Sequence, residues 1–364
     1  MRFIRRLGLI VICFCILFML CSHKQAVSDK IETVELKESD FDSCFDFVDT
    51  LTFDFDSLFI KAIWNFVAVD NNHFFIRDLE KFKLIYIDYS RKKFEIIDPE
   101  KVFPGLKTHC FCLVKDRSDN SVWCFYSPNY AINFKVNDGK LLMQGHHFEG
   151  YALTDPIGIG CDNHIYFSDG NPSAGYSLFS LDITKNKKEK VGNLNFNDQL
   201  LNAISIVGLG GCMLVDSENN CYISNSIENR IFRFDNASGE FSIIHSGYND
   251  YQLLEKDYPS NFKSLPRPVF DSFREMAFLK KDCIIANYLI QNTPQYELFF
   301  ISHDKCRTKK LKNNKLQYLL FADDSVVYMS IPMALPSDSD MSFEIRNPVV
   351  VRYKIKSSCL MEGL

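Results

Sequence analysis

The feature that most constrains this chain is self-similarity. A polar turn followed by a short apolar strand occurs six times: "DNNHFFIRD" (70–78), "SDNSVWCFYS" (118–127), "CDNHIYFSD" (161–169), "SENNCYISN" (217–225), "KKDCIIANY" (280–288) and "ADDSVVYMS" (322–330). The match between "NHFFIRD" and "NHIYFSD" fixes the alignment. It places Phe75, Trp123, Tyr166, Tyr222, Ile285 and Val327 at one position, all residues suited to strand. After each comes an alternating strand, a polar turn and another strand, as in "KLIYIDYSRKKFEI" (83–96), "YAINFKVNDGKLLM" (130–143) and "YSLFSLDITKNKKEKV" (176–191). The pattern continues in "NRIFRFDNASGEFSII" (229–244), "YELFFISHDKCRTKKL" (296–311) and "VVRYKIKSSCLM" (350–361). That is the signature of a hairpin with one wet face. A further apolar stretch precedes each turn, for example "IWNFVAV" (63–69), "GGCMLV" (210–215) and "LQYLLF" (316–321), which makes four strands per unit.

Successive units lie 42–63 residues apart, near the period of propeller blades, and six of them consume residues 31–364. The expected fold is therefore all-β: one six-bladed β-propeller with four-stranded blades. A pair of stacked sheets would not repeat one four-strand order six times, and β-helix repeats are shorter. The last unit runs out near Leu364 with a short outer strand, while "IETVEL" (31–36) is a strand without a unit. The ring is thus expected to be closed by this N-terminal strand, because closure removes exposed sheet edges. Helical periodicity is not evident beyond residue 21.

The first 21 residues, "MRFIRRLGLIVICFCILFMLC", carry Arg2, Arg5 and Arg6 ahead of an apolar run from Leu7 to Leu20. This is a charged region followed by a signal-type apolar core, short for a membrane span. Cys21 is the candidate for lipidation, with 22–30 as linker. Cleavage after Ala26–Ser28 and an uncleaved anchor are the other two readings, and all three take the chain out of the cytoplasm. A net charge of −5 gives no electrostatic reason to expect nucleic acid, and the basic clusters at 185–190 and 307–315 read as solvated turns and edges. The thirteen cysteines are scattered, mostly along strands, where a free thiol packs as a small apolar group. Cys110, Cys112 and Cys124 share one hairpin, whose spacing permits a diagonal Cys112–Cys124 bridge; "CFC" lacks zinc-knuckle spacing.

With the units aligned, "VDSENNCYISNSIENRIFRFDNASGEF" (215–241) resembles an NHL-type blade. The lead-in "IETVELKESDFDSCFDFVDTLTFD" (31–54) resembles the N-terminal region of the six-bladed, NHL/TolB-like propeller lipoproteins of Bacteroides and its relatives. The resemblance covers the mature chain, but "VFPGLKTHC" (102–110) stands where that family often has a Gly-rich turn. It implies an exported cell-envelope protein, at the outer membrane or in the periplasm, and says nothing of chemistry.

Some six-bladed propellers hold a metal near the central channel and act as lactonases or lyases. Here His73 and His164 occupy equivalent turn positions far apart on the ring, and His146 and His147, adjacent on an extended strand, point to opposite sides. The acidic lead-in, with Asp40, Asp42, Asp46, Asp49, Asp54 and Asp56, lacks the glycine and terminal carboxylate of a calcium loop and reads as a solvated segment docked by its phenylalanines. "GLGG" (208–211) has no phosphate-cradle context, and no nucleophile elbow is present. No catalytic residue, metal or cofactor is assigned. The one positional set with a binding reading lies three residues beyond the aligned position: Asp78, Tyr126, Asp169, Asn225, Tyr288 and Ser330. Equivalent positions share a rim, and this mixture suits recognition of sugar or peptide. The simpler reading is that Asp, Asn and Ser end their strands through local hydrogen bonds. The expected function is a monomeric, non-enzymatic scaffold, membrane-anchored through its leader, for a glycan, peptide or envelope-protein ligand; the alternatives are a metal-dependent hydrolase and an envelope assembly component.

Overall fold

The computed structural model describes residues 31–55, 57–78, 83–154, 156–171, 175–194, 211–224, 230–246, 272–280, 282–290, 293–302, 305–313, 315, 317–331 and 347–363. The chain opens with β1 (Glu32–Glu35), β2 (Ser39–Asp40), the short helix α1 (Phe41–Cys44) and β3 (Phe45–Thr52). Blade 1 follows as β4 (Ile63–Ala68), β5 (His73–Asp78), β6 (Leu84–Asp88) and β7 (Lys93–Ile97). Blade 2 is β8 (Cys110–Lys115), β9 (Val122–Tyr126), β10 (Tyr130–Asn137) and β11 (Lys140–His147). Blade 3 is β12 (Ile157–Ile159), β13 (His164–Asn171), β14 (Gly175–Asp182) and β15 (Lys187–Leu194). Blade 4 is β16 (Met213–Val215), β17 (Cys221–Ser224), β18 (Arg230–Asp235) and β19 (Glu240–Ser246). Blade 5 is β20 (Ser272–Lys280), β21 (Cys283–Ile290), β22 (Thr293–Ile301) and β23 (Lys305–Lys312). Blade 6 takes β24 (Tyr318–Asp323), β25 (Val326–Ile331) and β26 (Val349–Ile355), completed by β3, and the chain ends in helix α2 (Ser357–Gly363). Each blade is an antiparallel meander, so the fold is the six-bladed β-propeller that the repeats demanded.

Side chains alternate across each strand, so every blade offers one face to each neighbour. Six apolar clusters result, one in each gap between successive blades. Phe75, Trp123, Tyr166, Tyr222 and Ile285 each pack toward the following blade. Val327 does not. It packs back against blade 5, and Tyr328 takes the forward position. The cause is the hairpin before it: Asp323 pairs with Val326 across a two-residue turn at Asp324–Ser325, both at positive φ. A one-residue slip in a strand exchanges its two faces. In blades 2, 3 and 4 the turn instead carries Asn120, Asn163 or Asn219 at φ between 58° and 63°, three residues before the aligned position. Asn tolerates this left-handed conformation better than most residues, which explains why it recurs in the repeat.

The ring is closed by an N-terminal strand, but a different one from that expected. β3 pairs antiparallel with β26 as the outer strand of blade 6. The expected closing strand, 31–36, instead supplies β1, which lies parallel along β23 as an extra outer strand of blade 5. Charge assists this strap: Glu32 meets Lys305 and Glu35 meets Lys310 at 3.7 and 3.6 Å, and Glu38 meets Lys312 at 2.9 Å. The segment 350–361 is not a hairpin, since β26 is followed by α2. A disulfide between Cys44 and Cys359 joins α1 to α2 and ties the two chain ends across the seam. The Cys112–Cys124 pairing is not formed: β8 is bulged so that Cys112 faces Phe125, and neither sulfur is in a disulfide.

Candidate functional site

The six innermost strands, β4, β8, β12, β16, β20 and β24, enclose an axial channel of about 640 Å³. Its wall is mainly apolar, including Val67, Leu113, Ile157, Leu214, Ala277 and Leu319. β12 and β16 approach closely because Gly158 has no side chain; a Cβ there would lie 2.5 Å from Val215 Cγ2. All six innermost strands start at one end of the channel. The blade-to-blade links and the links between second and third strands flank this end, here called the mouth. The first hairpin turn of every blade flanks the opposite end, the floor.

Four innermost strands are irregular near the mouth. In β4, Ile63 faces Asp78 while Asn65 faces Arg77, so Trp64 is an extra residue. The same bulge leaves Phe111 extra in β8 and Arg274 extra in β20, and β24 has its bulge slightly deeper, at Leu320. A bulge bends the strand and re-aims side chains, and bulges are frequent at barrel rims and binding sites. Trp64 is 54% exposed, a large value for tryptophan, with the Arg77 guanidinium 5.7 Å from its ring centre.

The bulges explain the fate of the proposed rim set. Asp78 is buried opposite the β4 bulge and accepts hydrogen bonds from the backbone N–H groups of Lys61 and Ala62 at 3.0 and 3.2 Å. Tyr126 stands opposite the β8 bulge, with its side chain buried between blades 1 and 2, where burial pushes its hydroxyl pKa up. Asp169 pairs with Lys188 at 2.7 Å, the lysine ammonium lying 5.1 and 3.9 Å from the Phe167 and Phe179 ring centres. Tyr288 faces Phe273 in the register of β21, and Ser330 faces Tyr318. Asn225 lies outside the described residues.

Residues two beyond the aligned position, which the sequence reading passed over, point toward the following blade and hold more of the mouth together. Arg77 donates to Asn65 Oδ1 at 3.1 Å and to the carbonyl of bulged Phe111 at 3.0 Å, linking blade 1 to blade 2. Ser224 Oγ accepts from Cys212 N at 3.2 Å, and Ser224 N donates to the Cys212 carbonyl. Ser168 accepts at its carbonyl from the Thr154 hydroxyl. Asn287 is 1% exposed and lines the channel opposite Glu275, its amide hydrogen-bonded to the Tyr296 side chain. Its partner on β22, Tyr296, donates its hydroxyl to the Gln317 carbonyl. The signal for this set was present in the sequence as polar residues interrupting apolar runs: Arg77, Ser168, Ser224 and Asn287.

At the floor, side chains cross the axis. Lys115 of blade 2 is buried and bonds Asp323 of blade 6 together with the Val69 carbonyl of blade 1. Arg117 lies 3.6 Å from the same Asp323, with its guanidinium 5.1 Å from the ring centre of Phe278 in blade 5. The acids of the adjoining turns are spent on their own backbones: Asp116 accepts from Ser118, and Asp216 from Glu218 and Asn220.

The remaining candidates resolve into structural parts. His73 Nδ1 lies 2.8 Å from Asp70 and His164 Nδ1 3.1 Å from Asp162, each within its own turn. His146 stacks on Trp123 and His147 on Tyr130, on opposite faces of β11. In the acidic lead-in, Phe41, Phe45 and Phe53 are buried, while Asp42 pairs with Lys315 and Asp49 with Arg352. Among the described residues no three or more His, Cys, Asp or Glu side chains converge as a metal site, and no helix is long and apolar enough to cross a membrane. The leader and Cys21 lie outside the described residues.

No family model and no curated protein matches the sequence. Among solved structures, the chain is similar to a presumed exported protein of Bacteroides fragilis at 14% identity and a TM-score of 0.57, over 89% of this chain and all of that one. A protein of unknown function from Bacteroides thetaiotaomicron aligns at 11% identity and 0.49, over 90% and 75%. The calcium-binding protein regucalcin of Agrobacterium tumefaciens aligns at 9% and 0.46, over 89% and 97%. At such identities the first likeness establishes the fold alone, and the other two carry no argument.

Proposed function

We propose that this protein is an exported, non-enzymatic recognition scaffold that takes a glycan or peptide ligand at the mouth of its axial channel. The observation that carries the reading is Trp64, an indole left more than half exposed by a bulge on the channel rim, beside Asn65 and the positive charge of Arg77. An aromatic face flanked by amide and guanidinium donors suits the stacking and hydrogen bonding of a sugar ring or a peptide. Export rests on the leader, with Cys21 as the site of membrane attachment at the cell envelope. A metal-dependent hydrolase has no ligand set to build on among the described residues.

Glycan and peptide arrays probed with the mature protein test this directly. Trp64→Ala should lower binding of any captured ligand at least tenfold. Equal binding by the variant would sink the mouth as the site. Fractionation and lipid labelling of the wild type against Cys21→Ser test the anchor.

A further inference from the structure

We propose that the inner half of the channel is a second, separate site: a blind apolar pocket whose cationic floor takes the carboxylate of a small apolar acid. The floor cluster makes the channel blind. Lys115 and Arg117 reach from blade 2 to Asp323 on blade 6, and Arg117 also covers Phe278 on blade 5, so the bridge spans the axis. Above it the wall is mainly apolar, with Val67, Val114, Leu214, Met276 and Phe321 among its residues.

Two cations and one carboxylate, Asp323, line the floor, with the carboxylates of Asp116, Asp162 and Asp216 in adjoining turns outside the lining; the acidic lining residue Glu275 belongs to the mouth end. Lys115 already bonds Asp323 and the Val69 carbonyl. Arg117 has a different standing. Its contact with Asp323 is 3.6 Å, too long for a hydrogen bond, and a guanidinium carries five donors in a fork that matches a carboxylate. Asp116 and Asp216 do not line the channel and are bound within their own turns. An apolar cavity with a few convergent polar groups is the usual form of a small-molecule site. An acid fits better than a neutral molecule because its carboxylate can take the guanidinium donors that Asp323 leaves out of hydrogen-bond reach.

The test is calorimetric titration of the mature protein with octanoate and phenylacetate, beside octanol and phenylethanol as uncharged counterparts. The acids should bind saturably and at least tenfold more tightly than the alcohols. Arg117→Gln should erase that preference while leaving alcohol binding unchanged, and Arg117→Lys should restore part of it. Absence of saturable acid binding to the folded protein, or a preference that survives Arg117→Gln, overturns the proposal. Trp64→Ala should leave acid binding intact, so failure here and failure of the mouth reading are separately visible.

Discussion

At the floor of the channel, Lys115, Arg117, Asp323 and Phe278 reach from three blades into one cluster. At the mouth, Trp64 stands in solvent. The same six strands make both ends. What differs is the link that each end must accommodate. The floor is flanked by short hairpin turns of fixed geometry, held by Asp side chains and left-handed Asn residues, so side chains there can meet across the axis. The mouth is flanked by links of unequal length, and bulges take up the mismatch. Cross-axis contacts are therefore concentrated at the floor, while the mouth leaves a large aromatic group exposed.

The hardest blow to this contrast is dealt at the floor. Lys115→Met removes one partner of a largely buried ion pair and should cost about 3 kcal/mol, read by denaturant unfolding. The double variant with Asp323→Asn should recover part of that loss. A cost below about 0.5 kcal/mol would show that the crossing is ornamental.

A comparable effect should come from blade 5, away from both ends. Glu297 is buried beside Thr308 and Lys310, with Glu35 nearby, and burial pushes its carboxyl pKa up to about 7. The folded state then holds a proton that the unfolded chain loses above its ordinary value. Stability supplied by this group is present below that value and falls as pH rises toward about 7, by about 3 kcal/mol in all. Glu297→Gln should flatten the decline in a pH series of unfolding curves; an unchanged slope would assign it to other groups.

Smaller effects sharpen the picture at the mouth. Asn287→Leu removes a buried amide hydrogen-bonded to the Tyr296 side chain and should destabilise the fold by about 1 kcal/mol. An unchanged stability would mean that this bond contributes nothing net. Smallest of all, Trp64→Ala should change stability by no more than about 0.5 kcal/mol while weakening ligand capture. A larger loss would make Trp64 a packing residue.

The repeats in the sequence determined a great deal. Alternation of apolar and polar residues, with Asn and Asp at the turns, is local information, and it specified six meanders and the residues that fill five of the six gaps. Three features were not local. The strand that closes the ring competes with a neighbouring strand of similar pattern, and pairing with β26 rather than β23 is decided by which edge each can reach, with Cys44 and Cys359 meeting at the seam. In blade 6, a turn shorter by its φ pattern moved Val327 off the forward face, a one-residue effect that composition does not record. The polar residues that serve the channel wall are also offset by one residue from the expected rim set. A bulge adds a residue to one strand only, so the third position became the partner of the bulge and the second, with Arg77 and Asn287, came to serve the channel. Periodicity fixes which residues can share a face; only the closed ring decides which face meets a neighbour, which meets the axis, and which charges from separate blades find one another there.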